Sequence, residues 1–473
     1  MSSILSTFID LYLSLILIYA VFVMVSYLIL AYLSIRELKD YLKRNSFVNY
    51  EVLLSSEYSP CLSLIAPAYN EGLTIEENVK CLLSLNYNNY EVIVVNDGSK
   101  DNSIEILINT YDLEISDINY SDSIPTKAIR AIYQSRNAAY KKLIVVDKEN
   151  GGKADALNVG INIAQNPYVV CIDVDCVLDK DSLLKLAKPF LEADNKRVIA
   201  TGGVIRIANQ CIIEDGRLVE VKVPKKILPR IQVLEYLRAF LLGRMAWESL
   251  DGLLIISGAF GAFDKEIAIK VGGYNTKTVG EDMELIVRMR RYMHEQDLPY
   301  TVSYIPDPLC WTEAPENFTI FKKQRSRWMR GTIETLWLHR KMFFNPKYKL
   351  LGLLSVPYWT FFEFLAPFIE TVGLIVTAIF TLLGLLNWQY FILLLLFTYF
   401  FAVMFSILAL LSEEKTFHKY PDIQDYIQLL VGALVEPIYF HPLAVISALK
   451  GYCDKIVGTK GWGEMTRTGF QKK

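Results

Sequence analysis

Four groups of polar residues in this chain have the composition to act on a charged substrate. Asp173-Val174-Asp175 follows the apolar run 168–172. In an extended strand, positions two apart face the same side, so both carboxylates would address one ligand. Two carboxylates, together with phosphate oxygens and water, suit an octahedral site for Mg2+ or Mn2+. Gly151-Gly152-Lys153 leads into a helical stretch. A lysine at a helix start, where amide donors and the dipole favour anions, is placed to meet a phosphate. The GxxxxGK[ST] spacing of a P-loop is missing. Gly280-Glu281-Asp282 opens the helical stretch 283–292, and two roles stand open for Asp282. It is either a first-turn capping residue or a general base that takes a proton from a hydroxyl. Gln324, Arg327 and Trp328 fall in the basic, aromatic stretch 318–344. That stretch reads as an amphipathic helix at a membrane surface, with a cation for a diphosphate and a flat indole face.

These groups need a scaffold, and the apolar runs supply one. Residues 62–66, 91–95, 142–146 and 168–172 read as buried parallel strands. The first two lead into polar turns, Pro67-Ala68-Tyr69-Asn70-Glu71 and Asn96-Asp97-Gly98-Ser99, and then into helical stretches at 74–85 and 101–111. Strand, polar loop, helix, strand is the grammar of an open α/β sheet that binds its ligand beyond the carboxyl ends of its strands. Residues 210–230, with Pro224, Pro229 and the cations Lys222, Lys225 and Lys226, read as a surface hairpin or loop.

The rest of the chain is membrane-like. Of 473 residues, 52% are hydrophobic, too many for a disordered chain. Lys plus Arg is 49 and Asp plus Glu is 51, a formal charge of −2 that argues against a nucleic-acid binder. Seven scattered Cys without a CxxC pair read as free thiols in a reducing compartment. Residues 11–35 hold no charge and would make about 37 Å of helix, enough for one crossing. Residues 371–412 are also uncharged and would cross twice, reversing at Asn387-Trp388-Gln389. A further span is expected at 427–449, kinked at Pro437 and Pro442, with Glu436 and His441 facing other helices or a channel. Arg36, Lys39, Lys43 and Arg44 put residue 36 onward in the cytoplasm. Four crossings would then leave the basic carboxyl end outside, so an extra crossing or a re-entrant element is needed at 350–370 or 437–442.

Taken together, the Asp of NDGS, the DxD, the ED pair and QxxRW resemble the processive, membrane-embedded family 2 glycosyltransferases. That group includes cellulose, hyaluronan, chitin and poly-N-acetylglucosamine synthases. The resemblance implies an α/β fold in which a cytoplasmic, Rossmann-like GT-A domain is inserted between transmembrane helices. It implies a UDP-sugar donor, either UDP-GlcNAc or UDP-Glc, a divalent metal, and a growing β-linked polysaccharide as acceptor. By motif, Tyr69, Glu71 and Asp97 would hold the uridine, with Lys153 near the donor. Asp173 and Asp175 would engage metal and diphosphate, and Asp282 would be the base. Ser257, Gly258, Gln324, Arg327 and Trp328 would line the acceptor and diphosphate site, with Trp328 under a sugar ring.

The expected organisation is a membrane helix with its basic flank at 1–45 and the catalytic domain at 46–317. Interface helices follow at 318–362, membrane helices at 363–450 and a basic tail at 451–473. A multi-pass protein of the cell membrane is implied, with a secretion or regulatory subunit as a further potential partner. Two other readings remain open: addition of a single sugar to a lipid or short acceptor, and a non-catalytic membrane conduit or scaffold.

Overall fold

The computed structural model describes residues 3–458 except 194, 215 and 216. Of the expected basic tail, Lys460, Arg467, Lys472 and Lys473 lie outside the described residues. The described residues form twelve strands: β1 (Leu62–Ala68), β2 (Tyr90–Asn96), β3 (Leu113–Ile115), β4 (Ile129–Ser135), β5 (Leu143–Lys148), β6 (Tyr168–Ile172), β7 (Val177–Leu178), β8 (Arg197–Ile207), β9 (Ile212–Glu214), β10 (Arg217–Glu220), β11 (Phe260–Asp264) and β12 (Tyr300–Thr312). Ten form one sheet in the order β3-β4-β5-β2-β1-β6-β11-β8-β12-β7. The four strands expected from apolar runs are its parallel centre, β5-β2-β1-β6. Their side chains are buried almost without interruption, which is why they read as continuous apolar runs rather than alternating ones. β11 enters antiparallel between β6 and β8. It thereby brings the segment just before it, residues 257–259, to the end of β6. The stretch 210–230 is a hairpin, β9 with β10, as expected, but its last residues already belong to a helix.

Eight helices matter here: α1 (Ser3–Asn45), α2 (Lys153–Ile163), α3 (Ile227–Leu237), α4 (Glu281–Glu295), α5 (Phe318–Leu338), α6 (Ala366–Leu382), α7 (Trp388–Thr416) and α8 (Ile423–Val457). By length and composition, the segments Leu11–Asn45, Leu351–Leu382, Trp388–Thr416 and Ile423–Val457 could each cross a membrane. α6 and α7 reverse at 383–387, earlier than the expected Asn387-Trp388-Gln389: Asn387 caps α7 by accepting from Tyr390 N, and Trp388 and Gln389 are already helical.

α8 departs from a simple span. Its amino end is tied to the sheet domain by Val223 N donating to Asp425, and Glu436 pairs with Arg238 midway. Phe440 packs on Phe321 of α5 with ring centroids 5.2 Å apart. Near its carboxyl end, Ser326 donates to Asp454 at 2.6 Å and Lys455 pairs with Glu334 at 2.8 Å. Its buried residues, Leu429, Gly432, Ala433, Glu436, Phe440, Ser447, Ala448 and Gly451, fall along one stripe. Small residues on that stripe let α8 lie close against α3 and α5 along its whole length: a Cβ on Gly451 would sit 2.9 Å from the Ser326 carbonyl oxygen. The opposite face, with Val431, Leu434 and Ile438, is exposed and apolar.

Candidate active site

Most of the candidate side chains meet where the carboxyl ends of the parallel strands face α4 and α5. Asp97, at the end of β2, is 3% exposed and fully engaged. One carboxylate oxygen accepts from Lys148 Nζ at 2.6 Å and Gly151 N at 2.9 Å. The other accepts from Gly152 N at 2.7 Å. Gly152 has φ +87, in the left-handed region that disfavours a side chain, and this lets the loop fold back onto Asp97 before α2 begins. Lys148 is 0% exposed and also meets Asp155 at 2.7 Å, so one buried cation offsets two buried carboxylates.

The loop that Asp97 holds presents Lys153. Its ammonium pairs with Asp173 and donates to the Gly258 carbonyl at 3.1 Å. Gly258 N in turn donates to Asp282 Oδ2 at 3.0 Å. An unbroken chain of hydrogen bonds therefore links Asp97, the glycine loop, Lys153, Asp173, the 257–259 segment and Asp282. Asp173 N also donates to the Ala259 carbonyl. The DxD is not strand-like as expected: β6 ends at Ile172, and Cys176 N donates back to the Asp173 carbonyl in a turn. That turn still converges the carboxylates.

Asp173, Asp175 and Cys176 each offer a ligand atom within 4.8 Å of the others. A hydrogen bond with Cys310 and burial hold the Cys176 thiol well above its ordinary range, which leaves the carboxylates as the hard oxygen donors. Two such carboxylates opening into a cavity fit a divalent cation that shares its other positions with phosphate oxygens and water.

Asp282 lies in the first turn of α4, after the N-cap Gly280, and its Oδ1 accepts from Met283 N at 2.8 Å. Next to it Glu281, 3% exposed, is pushed up to about 7 by burial, against the nearby Lys153 cation and with the Asp282 charge adding to the rise. α5 reaches this corner because Gly331 lies against Gly280. A Cβ at Gly331 would be 2.6 Å from the Gly280 Cα, and neither backbone can yield without moving its helix. Gly331→Ala should therefore shift Gln324, Arg327 and Trp328 relative to Asp282. The expected cost is about a hundredfold in kcat, the scale of a 1 Å misplacement, read by nucleotide release from protein that still expresses.

Of the residues singled out in the sequence, Lys153, Asp173, Asp175, Ser257, Gly258, Asp282, Gln324, Arg327 and Trp328 line one cavity of about 1940 Å³. Gln324 Oε1 is buried there with no hydrogen-bond partner. The same cavity continues between α1, α6 and α7, past Tyr12, Ile16, Phe380 and Tyr390. Tyr69, Glu71 and Asp97 do not line it. Tyr69 is 44% exposed beyond β1, and Glu71 accepts from Thr74. Lys148, Glu235, Arg325 and Glu281 were not anticipated. Each joins segments distant in sequence except Glu281, whose place beside Asp282 was the available sign.

Residues 63–210 match the family model for glycosyl transferase family 2, and residues 168–406 match glycosyl transferase family group 2. This chain belongs to the family 2 glycosyltransferases. It is 32% identical over 301 residues to a poly-beta-1,6-N-acetyl-D-glucosamine synthase of Staphylococcus epidermidis, a stretch covering 63% of this chain and 60% of that protein. It is 30% identical over 304 residues to a protein of the same description from Staphylococcus aureus, covering 64% and 60%. The matched region thus spans about three fifths of these relatives' length. Among solved structures, a Pyrobaculum calidifontis mannosyltransferase in complex with GDP-Man and Mn2+ aligns with a TM-score of 0.49 at 16% identity, covering 93% of this chain and 100% of that one.

Proposed function

We propose that this protein is an inverting, processive membrane glycosyltransferase that adds N-acetylglucosamine, or glucose, from a UDP-sugar to a growing β-linked polysaccharide. The observation that carries this reading is the single cavity that joins the aspartates to the space between the apolar helices. A site built for one transfer to a soluble acceptor has no need of that continuation, whereas a lengthening chain does. The relatives' described product favours N-acetylglucosamine.

In this mechanism Lys153 and Arg327 bind the diphosphate, and Tyr69, exposed beyond β1, and the half-buried Glu71 meet the uridine. Asp97 acts through the Gly151–Gly152 amides by fixing the loop that aims Lys153. Asp282 orients the acceptor hydroxyl and takes its proton as the oxygen attacks the anomeric carbon opposite the leaving diphosphate. An α-linked donor then gives a β-linked product. A divalent cation held by Asp173 and Asp175 would offset charge on the departing diphosphate. Trp328 gives the acceptor ring a face to stack on.

The test is the full-length protein in lipid vesicles, supplied with a panel of UDP-sugars and Mg2+ or Mn2+. Polymer growth from one of them is expected, and extension by a single residue overturns the polymerase reading. In Asp175→Ala, metal-dependent donor affinity should drop by about tenfold or more, the lower range for loss of a supporting group in a metal site.

The α8 contacts favour three crossings, by α1, the 351–382 segment and α7, with α8 lying along the cytoplasmic interface. That arrangement returns the carboxyl end to the side of Arg36, Lys39, Lys43 and Arg44 and removes the parity problem without an additional span. Cys453 is exposed near the end of α8. An impermeant maleimide should label it in inside-out vesicles and not in sealed right-side-out ones; the reverse pattern would require α8 to cross.

A further inference from the structure

Arg325 lies within QRSRW, between the glutamine and the Arg-Trp pair, and the mechanism above gives it no task. Its guanidinium carbon is 4.0 Å from the centre of the Trp328 ring and 4.9 Å from that of Phe321. Residues 321, 325 and 328 share one stripe of α5, so the planar cation is held between two aromatic faces. Its Nη2 donates to Glu235 Oε2 on α3 at 2.6 Å. Arg325 is 9% exposed and Trp328 is 39% exposed, and Glu235, Arg325 and Trp328 all border the active-site cavity.

An indole alone has rotamer freedom about two torsions. A guanidinium stacked on one face, and itself tethered to a second helix, leaves the other face as the surface offered to the cavity. Lysine would keep the charge but not the flat contact with both rings.

We propose that Glu235 and Arg325 are positioning residues that lock the Trp328 ring as the acceptor platform, and so set how long a product stays seated between additions. This inference rests on the glycosyl-transfer reading given above. It places specificity for the acceptor, rather than the donor, in an ion pair between α3 and α5.

The experiment uses full-length protein in vesicles with UDP-N-acetylglucosamine and a β-linked N-acetylglucosamine pentamer. Arg325→Met and Arg325→Lys should each raise the acceptor KM at least fivefold and shorten the product distribution, while the donor KM stays within twofold. Glu235→Gln, which keeps the side-chain volume, should give the same pattern more weakly. Because Arg325 acts through the ring, Arg325→Met in a Trp328→Ala background should add nothing to the acceptor KM of Trp328→Ala alone. Additive effects in that double variant overturn the proposal, as do wild-type product length and acceptor KM in Arg325→Met. Full rescue by Arg325→Lys also overturns it, since charge alone would then suffice. Failure of the unsubstituted protein to extend the pentamer with any UDP-sugar overturns the glycosyl-transfer reading itself, and is thereby distinguishable from failure of the clamp.

Discussion

Asp282→Asn is expected to lower turnover by about a thousandfold or more while leaving UDP-sugar affinity nearly unchanged, the scale of losing a general base. Asparagine has almost the same shape, and its amide oxygen can still accept from either Gly258 N or Met283 N, the two donors that orient the carboxylate. What it lacks is a lone pair basic enough to take a proton from the acceptor hydroxyl. Of the groups assigned to the donor diphosphate, Lys153 and Asp173 are bound to each other and to the backbone of 257–259, and none of these contacts runs through the Asp282 carboxylate, so donor affinity has no reason to fall. Equilibrium binding of UDP and single-turnover nucleotide release, measured on the same preparation, separate the two quantities. Normal turnover in this variant would remove Asp282 from the role of base and leave it a residue that orients Gly258 and the start of α4.

The parts of this fold that were legible in the sequence share one property: their signal is local. Val92–Val95 and Val169–Ile172 are apolar on both faces because helices cover both sides of the sheet, and that shows as an unbroken run. Asn387 marks the reversal between α6 and α7 because a cap is needed where two apolar stretches are too long for one crossing.

The site was half legible. The motifs named the residues that border the cavity, but not how they are held. Lys148 carries no sequence signature; it is buried because Asp97 and Asp155, from segments on either side of it, need a counter-charge. Glu235 reaches Arg325 across 90 positions, a separation no periodicity reports. Asp97 was legible as a residue of the nucleotide site, but not the two loop amides and the lysine from which its carboxylate accepts. α8 is a different case. Its hydropathy marks 423–457 as long and apolar enough to cross, as expected, but hydropathy averages over a helix and does not report the buried stripe Gly432, Ala433, Ser447, Ala448 and Gly451.

A second large effect is expected far from the reaction, where the sheet is fastened to the membrane helices. Arg206, on β8, is 1% exposed and pairs with Glu413 near the carboxyl end of α7. Its Nε and Nη1 have no other hydrogen-bond partner, while Glu413 also accepts from Lys419 N. Glu413→Gln would therefore strand a buried cation with only a neutral amide beside it. Breaking one side of such a pair costs about 3–5 kcal/mol, because the remaining charge keeps its desolvation penalty and loses its compensation. A clear fall in the Tm of the detergent-solubilised protein is expected, with a parallel loss of folded yield. The paired replacement Arg206→Met with Glu413→Leu removes both charges and fills the volume with apolar groups, and it should recover most of that loss. β8 lies between β11 and β12, and β11 follows directly on the Gly258 segment that meets Asp282. Slack at the Arg206 anchor should thus reach the active site, so Glu413→Gln should also lower kcat near its new Tm, and the paired replacement should restore both. If the single variant melts like the wild type, this ion pair contributes no net stability and the sheet is held to α7 by apolar contact alone.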